Sequence, residues 1–266
     1  MQVSRQHKKA IGWRLSDLPR INPSICMHNI LMEEEARPIR QRQRRMNSTI
    51  LDVVKKKLNQ LTRKDHFTLP FIDKVLEKLT GKSHYCFLDG FSGYMQIHIA
   101  PEDQHKTTFT CLFGTFAYTH MLFGMCNASS TFQRYMTSIF SGLLQDCIEV
   151  FMDDFTVYTT SFDACMENLS WVLIRCINTN LVLNFEKCHF MVTEGIVLGH
   201  LVPSKGIEVE KSKIDIITSL PNPTSMWEVC SFLGHAGFYR RFIKNFSKIA
   251  LPLSKLLQKD MDFNFD

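Results

Sequence analysis

Phe151-Met152-Asp153-Asp154 places two adjacent carboxylates in the middle of an apolar segment. The flanking residues 147–152 and 155–158 are largely β-branched or aromatic, which predicts a strand, a tight turn and a second strand. Desolvating an ionised carboxylate is costly, and two neighbouring carboxylates also repel each other. The pair is therefore interpreted as a set of ligands for a divalent cation. Mg²⁺ fits best, because it binds one or two protein carboxylates together with substrate phosphates.

A third carboxylate strengthens this interpretation. Asp-Asp also occurs in ordinary hairpin turns, because Asp tolerates turn dihedrals. The apolar run His84–Leu88 predicts a buried strand that ends at Asp89, before the glycine-containing turn Gly90–Tyr94. Asp89 alone would also fit an ordinary turn. Two strand ends that carry Asp89 and Asp153 would bind two metal ions about 3.5–4 Å apart, as nucleotidyl transfer requires.

The composition is that of a globular protein. Of 266 residues, 45% are hydrophobic and 21% are charged, which allows one large or two small domains. No run of 18 apolar residues predicts a membrane span, and no secretory signal is recognisable at the N-terminus. Nine cysteines without Cys-x-x-Cys spacing disfavour zinc. They favour a reducing location inside the cell, in the cytoplasm or the nucleus.

Positive charge is concentrated in residues 1–64, which hold 15 Lys and Arg against 5 Asp and Glu. The remaining residues hold 16 against 21. Prolines and weak periodicity predict a poorly packed lead-in, with one short helix around Ile50 to Leu61. The densest basic cluster, Arg37 to Arg45, fits phosphate binding, a nuclear import signal or a solvated linker, and these alternatives stay open.

Predicted strands and helices alternate over residues 65–203. A strand is expected over Gly93–Ala100, a hairpin around Phe113-Gly114-Thr115 and a helix capped by Asn127. A later helix is predicted to bury one apolar stripe: Cys165, Leu169, Val172, Leu173 and Cys176. This order predicts an α+β fold, an antiparallel sheet with helices on one face.

The texture changes near Pro203, and residues 204–266 are predicted to form a separate helical subdomain. Lys211 to Leu220 is expected to be one helix. Ser225 and Glu228 have the spacing of a capping box at the start of a second helix.

With these segments placed, the chain resembles the reverse transcriptases. Five segments follow in the order of that family: Leu88–Tyr94, Phe123–Asn127 with Thr131-Phe132-Gln133, Phe151–Asp154, Leu198-Gly199-His200 and Ser231–Ile243. More narrowly, the chain is similar to the polymerase of a gypsy-like long-terminal-repeat retrotransposon polyprotein of the plant type. The resemblance covers nearly the whole chain, and its first 45 residues look like the linker between protease and polymerase.

The resemblance implies an architecture and a set of ligands. Residues 1–64 would be a basic linker and residual fingers, residues 65–203 a polymerase palm with part of the fingers, and residues 204–266 the start of a helical thumb or connection. Asp89 and Asp153 would bridge two Mg²⁺ ions, with Mn²⁺ as the alternative, and Asp154 would support the site. The implied partners are an RNA or DNA template with its primer, and deoxynucleoside triphosphates.

The resemblance also assigns nucleotide and primer contacts. Backbone N–H groups of Ser92 and Gly93 would face the triphosphate. Tyr94 would lie under the sugar and reject a 2′-hydroxyl, although strand packing is the ordinary role of such a residue. Phe123-Gly124 would form the loop beside the incoming nucleotide, and Leu198-Gly199-His200 the hairpin that positions the primer terminus.

Departures from the family pattern predict weakened activity. Between residues 53 and 59, relatives carry several dozen further residues that form much of the fingers. Loss of one basic contact to the triphosphate would cost roughly 3–4 kcal/mol of transition-state stabilisation. Smaller departures replace prolines that stiffen loops, at Leu112, Leu122 and Ser129. Others replace basic thumb residues, at Trp227 and Cys230.

The sequence thus predicts an RNA-directed DNA polymerase, a nucleotidyltransferase of a transposable element, in a shortened and weakened copy. The alternative is a non-catalytic nucleic-acid-binding remnant of such a polyprotein. A nucleotide cyclase would also use two metal ions, but a cyclase holds no duplex, which the primer-positioning and thumb-like segments would contact. The oligomeric state does not follow from the sequence.

Overall fold

The protein is described by a computed structural model over residues 7–14, 18–30, 67, 69–125, 127–144, 146–203 and 206–257. It divides into two compact units, Met1–Thr193 and Glu194–Asp266. The predicted helix at Ile50 to Leu61, the basic cluster after Arg37 and the departure near residue 56 fall outside the described residues. No helix in the described part is both long and apolar enough to cross a membrane.

The first unit mixes short strands with three helices in its described part. The strands are β1 (Ile11–Gly12), β2 (Met27–His28), β3 (His84–Asp89), β4 (His98–Ile99), β5 (Thr108–Cys111), β6 (Gly114–Ala117), β7 (Ile148–Phe151), β8 (Asp154–Thr159), β9 (Leu183–Asn184) and β10 (His189–Val192). The helices are α1 (Ile72–Leu79), α2 (Ala128–Ile139) and α3 (Phe162–Thr179). Short 3₁₀ segments span Lys8–Ala10, Gly93–Gln96, Pro101–Thr107 and Phe185–Lys187.

A four-stranded antiparallel sheet with the order β10-β3-β8-β7 lies at the centre of this unit. Strand β8 pairs with β3 on one side and with β7 on the other. Phe155 of β8 therefore lies opposite Leu88 of β3 and opposite Val150 of β7. Because side chains alternate along a strand, these three residues share one face, and all three are buried.

Helices α2 and α3 pack on that face. Phe132 and Met136 of α2 lie in one buried cluster with Leu88, Val150 and Phe155. The predicted stripe of α3 joins the same cluster: Cys165, Leu169, Val172, Leu173 and Cys176. The predicted α+β class is therefore confirmed, and its core is the layer between the sheet and these two helices.

Helix α1 contacts the opposite face of the sheet. The Tyr85 hydroxyl, on that face of β3, donates a hydrogen bond to the carbonyl of Leu79 at 2.8 Å. Lys78 forms an ion pair with the buried Glu149 of β7 at 2.8 Å. This ion pair stabilises the packing of α1, since a buried carboxylate is costly without a partner.

The described residues of the early part of the chain, 7–14 and 18–30, are packed, which contradicts the prediction of a poorly packed lead-in for these residues. Ala10, Ile21 and Cys26 are buried in the core of the first unit. Strand β1 pairs in parallel with β9, and β2 pairs in parallel with β4. Pairs of two-residue strands leave no periodic signal in a sequence, because the partners that order them lie far away in the chain.

The strand predicted over Gly93–Ala100 is wrong for its first half. Residues Gly93–Gln96 form a 3₁₀ turn, and only His98–Ile99 is a strand. The side chain of Gln96 is buried and donates hydrogen bonds to the carbonyls of Phe91 and Val182 at 2.7 and 2.9 Å. These bonds hold the chain in a turn that the alternating sequence pattern does not indicate.

Two further local predictions have different outcomes. The hairpin around Phe113-Gly114-Thr115 is confirmed, with β5 and β6 paired antiparallel. Asn127 does precede α2, but its side chain does not cap the helix. Its amide instead donates to the carbonyl of Asn29 at 2.9 Å, which fastens the start of α2 to the early segment of the chain.

The second unit contains a small antiparallel sheet and three helices in its described part. Its strands are β11 (Gly195–Val197), β12 (His200–Val202) and β13 (Glu208–Val209), in that order across the sheet. Its helices are α4 (Lys211–Thr218), α5 (Met226–Phe238) and α6 (Phe246–Lys255), with a 3₁₀ turn at Arg240–Phe242.

The capping box of α5 forms nearly as the spacing predicts. The Ser225 hydroxyl accepts a hydrogen bond from the N–H of Glu228 at 3.3 Å. The carboxylate of Glu228 returns to the N–H of Thr224 at 2.7 Å, one residue before the predicted partner. The unit itself begins at Glu194, earlier than the boundary expected after residue 203, because β11, β12 and β13 pair with one another.

Candidate active site

The structure brings the predicted carboxylates to one edge of the central sheet. Asp89, the last residue of β3, lies opposite Asp154, the first residue of β8. The N–H of Gly90 donates to the carbonyl of Asp153 at 2.9 Å. Residues 152 and 153 form the turn between β7 and β8. Asp89 therefore meets the adjacent pair Asp153 and Asp154, more than 60 residues later in the sequence, at neighbouring strand ends, as the two-strand interpretation requires.

The carboxylates of this edge influence one another. The pKa of Asp154 is raised to about 6, first by limited hydration and then by the negative charges of Asp153 and Asp89. Although Asp154 is exposed, the surrounding protein atoms restrict the water around its charge. The pKa of Asp89 is also raised, mainly by desolvation, with a further contribution from Asp153 and an opposing one from Lys187. Carboxylates whose pKa values are raised by desolvation and by a neighbouring negative charge are typical of a cluster that a cation would stabilise.

Lys187 is the functional candidate that the sequence did not indicate. Its Nζ lies 3.6 Å from Oδ2 of Asp89, and the side chain is 65% exposed. The residue ends the 3₁₀ turn Phe185–Lys187, in which the side chain of Asn184 accepts a hydrogen bond from the N–H of Glu186. In sequence it is one lysine among many. Pairing of β10 with β3, together with a bridge between Leu183 and Gly90, brings this segment to the carboxylates.

The donor set fits Mg²⁺ that is shared with a substrate. Carboxylate oxygens are the hard ligands that Mg²⁺ prefers, and it commonly uses only one or two from the protein. Within the described ranges, no group of three or more His, Cys, Asp or Glu side chains is arranged to hold a metal by itself. Asp89 and Asp153 thus suit a site that substrate phosphates and water complete, and they do not suit a closed structural cage.

The glycine turn after Asp89 lies directly against the carboxylate turn. A Cβ on Gly93 would lie 3.0 Å from the ring of Phe132 and 3.3 Å from Cβ of Asp153. Ser92, before it, adopts a positive φ of 49°. The close approach explains why glycine is required here, since any side chain would displace either the core ring or the carboxylate.

Tyr94 is held on several sides. It is 8% exposed, and its hydroxyl is 3.1 Å from the hydroxyl of Ser129. Its ring makes edge contacts with Phe132 and Phe123, at centroid distances of 5.0 and 4.5 Å. The sequence indicated Ser129 only as a replacement for proline. In the structure its hydroxyl forms a hydrogen bond with the hydroxyl of Tyr94.

The segment Phe123-Gly124 joins this group through its aromatic ring. Phe123 is 71% exposed and contacts Tyr94 at the edge of the site. Gly124 has a φ of +92°, and a methyl group at this position would meet no atom within 4 Å. Glycine is favoured at this position by its positive φ, and not by a shortage of space around it.

The predicted primer-positioning residues lie in the second unit. Leu198 and Gly199 form the turn between β11 and β12, with positive φ values of 47° and 76°. The Tyr239 hydroxyl donates to the carbonyl of Gly199 at 3.2 Å. The ring of His200 packs against Phe238 at 5.0 Å between centroids. The structure thus orders these three residues by contacts within their own unit.

This edge of the sheet carries a group of neighbouring carboxylates, and comparison with known proteins identifies the family of the chain. The profile of the reverse transcriptase (RNA-dependent DNA polymerase) family matches residues 33–235. The chain therefore belongs to the reverse transcriptase family.

Similar proteins include retrovirus-related Pol polyproteins from transposons. The retrovirus-related Pol polyproteins from transposons 297, opus and gypsy of Drosophila melanogaster are 36%, 34% and 32% identical, over 77%, 89% and 76% of this chain. The matched regions amount to 19%, 23% and 20% of those polyproteins. The chain thus spans about a fifth of the length of these relatives.

Solved structures support the fold. The foamy viral protease-reverse transcriptase dRH in complex with double-stranded DNA has a TM-score of 0.76 at 20% identity, over 96% of this chain and 51% of that one. The foamy viral protease-reverse transcriptase in complex with an RNA/DNA hybrid has a TM-score of 0.72 at 18% identity, over 98% of this chain and 40% of that one.

Proposed function

We propose that this chain is the RNA-directed DNA polymerase domain of a gypsy-like retrotransposon polyprotein, with two-metal nucleotidyl transfer at Asp89 and Asp153. The observation that carries the proposal is the convergence of these carboxylates on adjacent strand ends, fixed by the hydrogen bond from Gly90 to Asp153. The family of the chain supports the reaction class. Its departures from the family pattern support a rate below that of intact relatives.

The acidic residues have separate roles in this proposal. Asp89 and Asp153 would hold Mg²⁺, or Mn²⁺ in its place. Such ions lower the pKa of an attacking hydroxyl and stabilise the negative charge of the leaving group. Asp154 would add a third carboxylate beside them, and Lys187, whose Nζ lies 3.6 Å from Asp89, offsets part of the negative charge of the group. The protein thereby holds the carboxylates close together at a tolerable electrostatic cost.

The nucleotide would be positioned by the glycine turn and the ring of Tyr94. Backbone N–H groups of Ser92 and Gly93 would bind the triphosphate. Tyr94, fixed by Phe132 and Ser129, would lie under the sugar and leave no room for a 2′-hydroxyl. Phe123-Gly124 would border the nucleotide from the other side.

The proposed partners are a template with its primer, and deoxynucleoside triphosphates. The foamy viral relatives in complex with double-stranded DNA and with an RNA/DNA hybrid support a duplex partner. In this assignment residues 65–203 act as the palm with part of the fingers, residues 204–266 as the start of the thumb, and residues 1–64 as basic linker and residual fingers. The Leu198-Gly199-His200 turn would contact the primer terminus.

Primer extension on an RNA template with Mg²⁺ tests the proposal, with Asp153→Asn as the decisive variant. Loss of one ligand charge should lower the rate by about 10²–10³-fold, since electrostatic stabilisation is usually the largest catalytic contribution. Asp163→Asn is the matched control, because this exposed aspartate lies in the first turn of α3, beyond the far end of β8. Equal rates of extension by the wild type and Asp153→Asn would rule out a catalytic role for these carboxylates.

A non-catalytic nucleic-acid-binding role is the second candidate, and the concentration of basic residues before residue 65 favours it. It predicts binding of RNA or DNA that survives Asp153→Asn. Affinity should fall steeply between about 50 and 200 mM salt, because phosphate neutralisation releases counterions. Binding that does not change over this range would contradict the role, and catalytic turnover would make it unnecessary.

A further inference from the structure

The turn that carries Asp153 contains a residue in an unfavourable backbone conformation. Strands β7 and β8 are joined by a two-residue turn, in which Met152 has a φ of +55°. Two-residue hairpin turns with positive φ at the first position usually have glycine or asparagine there. A methionine at this position is disfavoured by its Cβ, so it persists only when its surroundings hold it in place.

Gln133 of α2 supplies that support. Its Oε1 accepts a hydrogen bond from the N–H of Met152 at 2.6 Å. Its Nε2 donates to the carbonyl of Val150 at 2.9 Å. One buried amide therefore bridges the end of β7 and the first residue of the turn, and the residue is only 1% exposed. Buried amides of this kind are costly unless both ends are satisfied, as they are here.

At its other end, the Met152-Asp153 turn is fixed by the glycine turn that follows Asp89. The carbonyl of Asp153 accepts the hydrogen bond from Gly90, so the peptide groups before and after the Met152-Asp153 dipeptide are both anchored. Gln133 also follows Phe132, whose ring closes the space above Gly93. Helix α2 thus contacts the carboxylate turn and the glycine loop through adjacent residues.

We propose that Gln133 is a positioning residue that fixes Met152 in its positive-φ conformation and thereby directs the Asp153 carboxylate toward the metal site. This inference rests on the proposed function. Gln133 touches neither metal nor substrate in this role. Its effect is exerted through the backbone of the turn, in the way that groups behind a metal ligand set the orientation of that ligand.

The test measures metal binding and turnover in the full chain. Mn²⁺ binding is measured from the electron paramagnetic resonance signal of the free ion. The sample also contains a duplex, whose primer ends in a dideoxynucleotide so that it cannot be extended, and the next complementary nucleotide. Gln133→Met keeps length and apolar bulk but loses both hydrogen bonds. We expect Mn²⁺ affinity and kcat to fall about 10–100-fold, as for other groups behind metal ligands, with duplex affinity unchanged.

Tyr135→Phe is the matched control on the same helix. It removes a hydrogen bond from Tyr135 to the carbonyl of Met27, at 2.7 Å, which has no connection to the turn. It should leave Mn²⁺ affinity as in the wild type. If Gln133→Met behaves like this control, the inference is overturned while the proposed function stands. If Asp153→Asn binds Mn²⁺ and extends primers like the wild type, the proposed function fails instead.

A second variant separates positioning from folding. Glycine adopts positive φ without steric cost, so Met152→Gly should partly restore Mn²⁺ affinity and kcat when it is added to Gln133→Met. The same double variant serves if Gln133→Met alone does not fold. A double variant that folds with no recovery of metal affinity would show that Gln133 does not act through the conformation of Met152.

Discussion

Two hairpin turns, one in each unit, solve the same backbone problem by different means. Met152-Asp153 has positive φ at its first residue, and Leu198-Gly199 has positive φ at both residues. The first is held by hydrogen bonds to an amide side chain and a backbone N–H. The second is held by the ring of Phe238 beneath Gly199 and by the hydroxyl of Tyr239.

The difference in how the two turns are held corresponds to the side chains that they carry. The first turn carries a carboxylate whose direction matters, and hydrogen bonds constrain direction more strictly than apolar contacts do. The second turn carries no charged residue. Hydrogen bonds from His200 to the carbonyl of Leu198 and from Tyr239 to the carbonyl of Gly199 hold its backbone, and the rings of His200, Phe238 and Tyr239 pack together beside it. Substitutions that disturb the first turn should therefore affect metal binding, and those that disturb the second should act first on the stability of the second unit.

Gly93→Ala should produce the largest effect of this kind. Its Cβ would lie 3.0 Å from Phe132 and 3.3 Å from the Asp153 side chain, so one of them must move. Misplacing a reacting group by about 1 Å lowers a reaction rate by about 10²-fold. The rate of primer extension by Gly93→Ala should therefore fall by about this factor.

Gly142→Ala is the control for that substitution in the same unit. Its Cβ would meet only Arg175, at an ordinary 3.8 Å, so extension should remain near the wild-type rate. If Gly93→Ala and Gly142→Ala were equally active, the close packing of the glycine loop against the carboxylate turn would have no role in catalysis.

Gly199→Ala should have a smaller effect, confined to the second unit. The substitution places a Cβ 3.3 Å from Phe238 at a φ of +76°, which should cost roughly 1–3 kcal/mol. Hydrogen exchange measured by mass spectrometry should show faster exchange in β11, β12 and α5, with no change around Asp153. Gly234→Ala, which meets nothing within 4 Å, is the control, and equal exchange in both variants would contradict the role of packing at this turn.

The sequence was informative where structure is determined locally. The β-branched run around Asp153 predicted β7, the turn and β8, and the periodic stripe of α3 predicted its buried face. The capping residues of α5 were also apparent from spacing. In each of these cases the residues that determine the conformation lie within a few positions of one another.

Non-local contacts account for what the sequence did not show. Gln133 and Lys187 acquire their roles only when α2 and the 3₁₀ turn before β10 are brought to the carboxylates. Gln96 likewise converts a predicted strand into a turn through hydrogen bonds to Val182, far along the chain. A single glutamine or lysine in a sequence carries no signal of such partners.

The smallest expected effect is a pH dependence that arises from the strand-end carboxylates beside the first turn, Asp154 and Asp89, and has no counterpart at the second turn. The pKa of Asp154 is raised from 3.8 to about 6 in the folded protein. Because the folded state holds this proton more tightly than the unfolded state, its contribution to stability is present below about pH 4 and is lost as the pH rises through about 6. Asp89 changes in the same direction.

Chemical unfolding at about pH 4.5 and about pH 6.5 measures this dependence, with Asp154→Asn as the test variant. Asp154→Asn removes one titrating group, so its free energy of unfolding should decline less over this interval than that of the wild type. The difference should be modest, because Asp154 is exposed and solvent screens its interactions. Gly199→Ala alters only the uncharged turn, and it should keep the pH slope of the wild type. Identical slopes for Asp154→Asn and the wild type would mean that neither desolvation nor the neighbouring carboxylates shift proton binding by Asp154, and the electrostatic distinction between the two regions would be lost.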